Sequence, residues 1–362
     1  MTKTAGVYII AEAGVNHNGS VAMAVQLIDV AAEAGADAVK FQTFQAEKIV
    51  SRFAPKAQYQ AKTTDLAESQ LEMVKKLELD EEAHRLLIEH CHMRGIQFIS
   101  TPFDFDSVDL LVSTFNIPRL KLPSGEITNA PLLLKIARTG KPVIMSTGMS
   151  TLGEIETALG VLAFGYTCPA DKTPSLATFT EAYCSETGQK ALREKVVLLH
   201  CTTEYPAPFS DVNLKVLDTL QAAFGLPVGL SDHTPGIAVS IAAAARGAVV
   251  IEKHFTLNRN LPGPDNGASL EPDELKAMVQ SVRQVEEALG SPVKAPVPSE
   301  LKNICIVRKS LVAARHIRKG EPFTEENLGF KRPGNGISPV HYWDLLGKVA
   351  DRNYEQDEMV II

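Results

Sequence analysis

Short apolar runs alternate with amphipathic stretches along most of the chain. The runs are rich in β-branched residues and almost continuously hydrophobic, which is typical of parallel strands covered on both faces. We predict eight of them as strands: VYIIAEAG from Val7, ADAVKFQT from Ala36, IQFISTP from Ile96, RLKLPS from Arg119, PVIMSTG from Pro142, VVLLHCT from Val196, PVGLSDH from Pro227 and VVIEKHF from Val249.

The stretches between these strands have helical periodicity, and glycine follows several of them, as it does at the ends of helices. Eight successive strand–helix units predict a (β/α)8 TIM barrel of the α/β class. A doubly wound parallel sheet is the alternative, but it rarely contains eight similar units in succession. The predicted helices are Val21–Ala34, Glu81–Arg94, Pro131–Thr139, Ile155–Phe164, Asn213–Phe224 and Ile237–Arg246.

The pattern changes towards the C-terminus. We predict a barrel domain over residues 1–289, a proline-rich semi-rigid linker over 290–300 and a small β-rich domain over 301–362. The segment 165–195 interrupts the barrel pattern between the fifth helix and the sixth strand. We interpret it as a surface insertion, helical near Leu176–Cys184, and assign it no function.

Nearly every predicted strand ends in polar or ionic side chains. Buried strands otherwise avoid such residues, because desolvating a charge is costly unless it is paired. In a barrel the carboxyl ends of all strands meet at one mouth, where the active sites of this fold lie. These strand ends are Glu12, Lys40 with Gln42, Ser100 with Thr101, Lys121 with Ser124, Ser146 with Thr147, His200–Thr203, Ser231–His233 and Glu252–His254.

Two histidines end the seventh and eighth strands. Adjacent strands lie about 4.8 Å apart, so His233 and His254 are placed to share one metal ion, and imidazole suits Zn, Mn, Fe or Co. Glu252 points to the same barrel face as His254 and is placed to support it. The alternative is that either histidine only forms a hydrogen bond within the mouth.

Two lysines indicate an anionic substrate. Lys40 and Lys121 occur together with the segments STP, PSGE and STG, whose hydroxyl and backbone N–H groups suit a phosphate or a carboxylate. A Schiff base between a lysine and a carbonyl substrate is the alternative. Glu12 is a candidate proton donor or acceptor if its surroundings raise its pKa, or else a structural carboxylate paired with a lysine.

Composition excludes several classes of protein. The chain has 362 residues, 43 acidic and 36 basic, with a net charge of −7, so we expect no nucleic-acid partner. We find no apolar run of the roughly 20 residues that span a membrane and no secretory signal. The five cysteines form no CxxC pair. We therefore expect a soluble cytoplasmic protein that does not interact with membranes.

These segments together resemble the bacterial sialic acid synthases that carry a C-terminal antifreeze-like (SAF) domain. The resemblance follows the family's order and covers essentially the whole chain. It implies a TIM barrel followed by a small β-clip domain. The segments are AEAGVNHNGS, AVKFQTF, FISTPFD, KLPSGE, STGM, LHCTTEYPAPF, GLSDHT, IEKHFTL, GPD at Gly263–Asp265 and KRPGNGISP.

The resemblance also implies a reaction. Phosphoenolpyruvate would condense with an N-acylated mannosamine-type sugar and water to give a nine-carbon 2-keto acid and phosphate. We predict N-acetylneuraminate synthase, with N-acetylmannosamine as the acceptor. The alternative is an N,N'-diacetyllegionaminate synthase that uses 2,4-diacetamido-2,4,6-trideoxymannose, and a Schiff-base aldolase is a more distant one.

Site residues follow from the resemblance position by position. A divalent metal, Mn²⁺ or Mg²⁺, would be bound by His233 and His254, and Glu12 would transfer protons. Phosphoenolpyruvate would contact Lys40 and Ser231 through its carboxylate, and Thr101, Lys121, Ser124 and Ser146 through its phosphate. The sugar would contact Gln42, Tyr205, Asp265 and Arg332.

The resemblance further implies a domain-swapped homodimer, in which Arg332 of one copy reaches the sugar in the other. The chain departs from one branch of the family near the sugar. Thr203-Glu204 precedes Tyr205 where that branch has Asn-Ile, and Pro123 replaces a glycine.

Overall fold

The chain folds into two compact units, and the division between them falls after Gly290 in the sequence. This computed structural model describes residues 6–56 and 68–361. The first unit is built on eight parallel strands. They are β1 (Tyr8–Gly14), β2 (Ala38–Thr43), β3 (Gln97–Pro102), β4 (Leu120–Leu122), β5 (Val143–Ser146), β6 (Val196–Cys201), β7 (Val228–Asp232) and β8 (Val250–His254).

The strands follow one another around a barrel in chain order. Strand β1 pairs in parallel with both β2 and β8, so the first and last strands are neighbours. The ladder continues from β8 through β7, β6 and β5 to β4, and β3 packs beside β4. All carboxyl ends therefore open on one mouth. The predicted (β/α)8 barrel is confirmed.

Burial explains why these segments are strands. The barrel interior is filled by one apolar cluster, and a larger core lies between the sheet and the surrounding helices. Strands β1, β2, β3, β5, β6 and β8 thus pack apolar side chains on both faces, as their nearly continuous hydrophobicity predicts. The interior cluster consists of Ile10, Ala38, Ile99, Ile144, Leu199 and Val250.

Helices surround the barrel. Side-chain caps begin several of them, for example Ser20 before the first helix, and glycine in the left-handed conformation ends it at Gly35. The helices of this unit are α1 (Val21–Ala34), α2 (Ala46–Ile49), α3 (Gln70–Lys75), α4 (Glu81–Arg94), α5 (Phe105–Asp109), α6 (Ala130–Arg138), α7 (Leu152–Thr167), α8 (Leu176–Cys184), α9 (Glu186–Lys195), α10 (Val216–Phe224), α11 (Ala238–Ala245) and α12 (Pro272–Leu289).

Short helical turns complete the unit. They are a π turn at Leu110–Thr114 and 3₁₀ turns at Ser124–Glu126, Phe209–Asp211 and Asn266–Ala268.

The predicted insertion over 165–195 holds two helices. Helix α8 covers Leu176–Cys184, as predicted, and α9 follows it after the single residue Ser185. Helix α9 was not predicted, because only Gly188 and Leu192 of its ten residues are buried and most of the others are polar. The Ser185 hydroxyl caps it by accepting a hydrogen bond from the Gly188 N–H at 2.9 Å.

The second unit is small and has its own apolar core. It contains α13 (Pro298–Val307), the antiparallel pair β9 (Ser310–Ala313) and β10 (Leu328–Lys331), a 3₁₀ turn (Pro339–His341) and α14 (Tyr342–Leu345). Helix α13 begins inside the linker that we predicted over 290–300. Proline is favourable at the first helical position, and the Glu300 carboxylate accepts a hydrogen bond from the Val297 N–H at 3.1 Å.

Among residues 6–56 and 68–361, no helix is both long and apolar enough to cross a membrane.

Candidate active site

One cavity of 390 Å³ opens at the barrel mouth. Twelve of the thirteen site residues predicted from the sequence line it, although they come from eight different strands and the loops that follow them. These residues are Glu12, Lys40, Gln42, Thr101, Lys121, Ser124, Ser146, Tyr205, Ser231, His233, His254 and Asp265. The structure thus brings the predicted barrel residues together, whereas their individual roles stay predictions.

Glu12 and Lys40 form a buried ion pair on the first two strands. They are opposite each other in the parallel register, and Glu12 Oε2 lies 2.7 Å from Lys40 Nζ. Lys40 also donates a hydrogen bond to the Thr101 hydroxyl on β3 at 3.2 Å. Burial raises the pKa of Glu12 to about 7, in spite of the nearby lysine. A carboxyl group with this pKa exchanges protons readily at neutral pH.

Glu252 lies between the two predicted anion-binding lysines, which the sequence analysis did not anticipate. Its carboxylate is 3.7 Å from both Lys40 Nζ and Lys121 Nζ, and it accepts a hydrogen bond from the Ser231 hydroxyl at 2.8 Å. Burial alone would raise the pKa of Glu252, but the two lysines outweigh it and hold the pKa at about 2. The sequence places Glu252 as a support for His254, and its charge does act on His254, but its direct contacts are with the lysines and Ser231.

Lys121 and three hydroxyl groups form one side of the cavity. Lys121 Nζ donates to the Ser146 hydroxyl at 2.6 Å, and the Ser124 hydroxyl lies 3.3 Å from that of Thr203. Burial lowers the pKa of Lys121, although the Glu252 carboxylate opposes this effect. Thr203 was not among the predicted site residues, and only its place after β6 pointed to the mouth.

The two histidines of β7 and β8 face each other. Their ring centroids are 5.5 Å apart, and the Tyr205 ring packs 4.3 Å from that of His233. His233 Nδ1 donates to the Thr202 carbonyl at 2.6 Å, which leaves a lone pair on Nε2. The buried His254 Nδ1 has no hydrogen-bond partner among the described residues.

These imidazoles suit a shared metal ion. Burial lowers the pKa of His233 to about 4 and that of His254 well below its usual value, so both rings are neutral at pH 7. Neutral imidazole is the form that binds metals. The described ranges contain no group of three or more His, Cys, Asp or Glu side chains arranged around a metal site. Two protein ligands would leave the remaining coordination positions to substrate and water.

The predicted sugar contacts lie around the same opening. Gln42 is one of them, and the backbone of Gly14, whose φ is +53°, passes close to its side chain. A Cβ at Gly14 would lie 3.5 Å from Gln42 Nε2 and 3.1 Å from Glu12 Oε1. Asp265 is buried at the mouth, and burial raises its pKa to about 6.

Arg332 belongs to the second unit, where it is exposed and its Nε donates to the Val307 carbonyl at 2.9 Å. Its predicted role in a partner's site stays a prediction.

Comparisons with known proteins show the family of this chain. A family model described as the NeuB family matches residues 27–294, and a SAF domain model matches residues 308–360. The N,N'-diacetyllegionaminic acid synthase of Campylobacter jejuni is 54% identical, over 97% of this chain and 98% of that protein. The synthase of the same description from Legionella pneumophila is 45% identical, over 96% of this chain and 91% of that protein.

A solved structure supports the same assignment. The N-acetylneuraminic acid (sialic acid) synthetase of Leptospira borgpetersenii superposes with a TM-score of 0.66 and is 33% identical, over 83% of this chain and 91% of that one. The barrel, the SAF match and these relatives together confirm the resemblance found in the sequence. The chain belongs to the NeuB family, and it is an enzyme of the sialic acid-type synthases with a C-terminal SAF domain.

Proposed function

We propose that this enzyme condenses phosphoenolpyruvate with 2,4-diacetamido-2,4,6-trideoxymannose and water to give N,N'-diacetyllegionaminate and phosphate. One observation carries the chemistry: two buried lysines, two neutral imidazoles and the carboxyl group of Glu12 face a single cavity. The lysines suit the charges of an enol phosphate, and Glu12 suits proton transfer.

We assign the phosphate of phosphoenolpyruvate to Lys121, Thr101, Ser124 and Ser146, and its carboxylate to Lys40 and Ser231. Lys121 already donates to Ser146, and Lys40 to Thr101, so both cations are held in place before substrate arrives. Such preorganised donors stabilise an anion more than flexible ones, because little reorganisation is needed. Their main contributions are then orientation and electrostatic stabilisation.

Glu12 is the residue that we propose moves a proton. In the reaction, C3 of phosphoenolpyruvate forms a bond to the aldehyde carbon, water adds to C2, and the C2–O bond breaks to release phosphate. The aldehyde oxygen gains a proton, and the attacking water loses one as it adds to C2. The resulting C2 hydroxyl loses the other proton to the departing phosphate as the 2-keto group forms. With a pKa of about 7, the Glu12 carboxyl group is able to give or take a proton at its Oε atoms.

A divalent cation, Mn²⁺ or Mg²⁺, would be held by His233 and His254. When bound there it would polarise the acceptor's aldehyde as a Lewis acid. The Thr202 carbonyl fixes the tautomer of His233, and Tyr205 packs against its ring, so the imidazole is oriented without the cation.

The choice of acceptor rests on the relatives. The 54% and 45% identical proteins are described as N,N'-diacetyllegionaminic acid synthases, which favours our alternative acceptor over N-acetylmannosamine. Pro123 and Thr203, two positions where the chain departs from one branch of the family, both line the cavity. Thr203 lies beside Ser124, which we assign to phosphate, so the choice of acceptor rests on the relatives rather than on these two positions.

The experiment is phosphate release from phosphoenolpyruvate with each of the two sugars, with and without a chelator. We expect release with 2,4-diacetamido-2,4,6-trideoxymannose, much slower release with N-acetylmannosamine and none without sugar. Chelation should stop release, and added Mn²⁺ or Mg²⁺ should restore it. Release without any sugar, or none with either sugar, would contradict the proposal. Borohydride with pyruvate should leave Lys40 and Lys121 unmodified; trapping on either would support a Schiff-base aldolase.

A further inference from the structure

One wall of the active-site cavity is apolar. The residue directly after each of the first three strands is hydrophobic: Val15 after β1, Phe44 after β2 and Phe103 after β3. Val15 and Phe44 pack with Leu77 into a small cluster of their own, separate from the barrel core, against which Ile49, Val74 and Phe103 lie half-buried. All six side chains line the cavity. We call these six residues the apolar wall.

The apolar wall is held firmly in shape. Phe44 and Phe103 meet edge to face, with centroids 6.1 Å apart and ring planes at 84°. Phe44 is 6% exposed and Val15 5% exposed, so both are fixed by packing. The surface they offer to a ligand is therefore preformed.

The position of the wall relates it to the acceptor. Lys40 and Thr101, which we assign to phosphoenolpyruvate, lie within strands β2 and β3. Phe44 and Phe103 come after the ends of these strands, so the wall lies further out along the barrel mouth than the two groups. We place there the part of the sugar that is remote from its aldehyde. Gln70 and Val74 are four residues apart on α3, so an amide group lies on the same helix face as an apolar one.

We infer that the apolar wall determines acceptor specificity, by receiving the deoxygenated C6 and the methyl group of the 4-acetamido substituent at the end of the sugar remote from its aldehyde. A hydroxyl group against these side chains would lose its hydrogen bonds to water without replacement. A methyl group forms no hydrogen bonds to water, so it loses none against these side chains, and it gains apolar contact. The Gln70 amide is suited to an acetamido group. This inference rests on the proposed function, because it places a sugar acceptor in this cavity.

The test uses two pairs of acceptors, and the sugars of each pair differ only in the 6-hydroxyl group. One pair is 2,4-diacetamido-2,4,6-trideoxymannose and its 6-hydroxy counterpart, and the other is N-acetylmannosamine and its 6-deoxy counterpart. The value of kcat/KM for phosphate release is measured for all four. We expect the wild type to prefer the 6-deoxy member by about 10- to 100-fold.

Two variants test whether the apolar wall causes the preference for the 6-deoxy acceptor. Val74→Thr places a hydroxyl on the apolar wall with little change in side-chain volume, and Ile49→Thr does so with the net loss of one non-hydrogen atom. We expect one or both to lower the 6-deoxy preference at least threefold. Val25→Thr is the matched control, because Val25 is a half-buried helical valine on α1 outside the cavity. Its preference should equal that of the wild type. Thermal unfolding of each variant shows that it is folded.

The outcomes separate the inference from the proposed function. The inference is overturned if the wild type shows no 6-deoxy preference, or if both wall variants keep the wild-type preference. Neither result contradicts the proposed condensation reaction. Turnover of the N-acetylmannosamine pair alone overturns the proposed acceptor, and the ratio within that pair still tests the wall. No turnover of any of the four sugars overturns both.

Discussion

Asp232 and Lys253 form an ion pair of 3.0 Å, and each side chain is only 1% exposed. They are direct partners in the register of β7 and β8. Because side chains alternate along a strand, this pair lies on the opposite face of the sheet from Ser231 and Glu252. The Ser240 hydroxyl on α11 donates to Asp232 at 2.7 Å, which fixes the pair against the helix layer. It therefore holds the two strand ends that carry the imidazoles.

Replacing Lys253 with methionine should destabilise the enzyme by about 3 kcal/mol, because the buried Asp232 carboxylate would lose its counter-charge. Urea unfolding measures the loss. Adding Asp232→Asn should recover part of it, since no buried charge then remains. The exposed pair Lys48–Asp106 provides the control, and Lys48→Met should cost less than about 1 kcal/mol. Equal losses at the two lysines would show that burial of the ion pair is unimportant.

Gly148 should tolerate no side chain. A Cβ there would lie 2.8 Å from Cys201 Sγ and 3.1 Å from Ser124 Oγ, and closer still to the Thr203 hydroxyl. Gly148→Ala must therefore displace groups of the predicted phosphate site, and we expect kcat/KM for phosphoenolpyruvate to fall about 100-fold. Gly153→Ala is the matched control, because nothing lies within 4 Å of its Cβ position. Similar kinetics for the two variants would contradict this view of the site.

The barrel was predictable because most of its strands are apolar on both faces and its helices are amphipathic. The site was predictable for a related reason. Residues such as Lys40 and His254 are costly at the end of a buried strand, so their repeated occurrence there indicates selected chemistry.

Contacts between distant segments were not predictable. The partners of Glu252 depend on three strands at once, and strand alternation alone could only place it on the face of His254. The apolar wall was not predictable for another reason. In the sequence, Val15, Phe44 and Phe103 are indistinguishable from core residues, and only the folded structure shows that they pack together at the barrel mouth. Helix α9 is mostly polar and buries only Gly188 and Leu192, so its sequence does not indicate a helix that packs on the barrel.

The predicted domain-swapped homodimer is testable by subunit complementation. Glu12→Gln and Arg332→Ala should each abolish most phosphate release. In a swapped dimer one site takes Glu12 from one copy and Arg332 from the other, so a mixed dimer keeps one intact site. Co-expression of the two variants should then restore about a quarter of wild-type activity. Activity no greater than the mean of the separate variants would show that Arg332 does not act on a partner's site.

Ionisation of Asp265 should lower the free energy of unfolding as the pH rises. Burial raises its pKa from 3.8 to about 6, so the folded state favours the protonated form and this contribution is lost as the pH rises through 6. Asp265→Asn cannot ionise, and its stability advantage should grow between pH 4 and pH 7 to at most about 3 kcal/mol. Urea unfolding across this range measures the gap, and activity should fall in the same variant because Asp265 is a predicted sugar contact.

The exposed residue Asp171 supplies the control for this experiment. Asp171→Asn should follow the wild type at every pH, in both unfolding and activity. If the Asp265→Asn advantage is the same at pH 4 and pH 7, the buried carboxyl group does not carry the assigned pKa. If the stability advantage of Asp265→Asn shrinks as the pH rises, the pKa of Asp265 is lowered rather than raised. A nearby cation would then stabilise the Asp265 carboxylate by more than burial destabilises it. An ionised Asp265 is unfavourable in the free enzyme, but it is able to accept hydrogen bonds from hydroxyl or amide groups of the sugar. Binding of the acceptor should therefore reduce the difference in free energy of unfolding between Asp265→Asn and the wild type at pH 7.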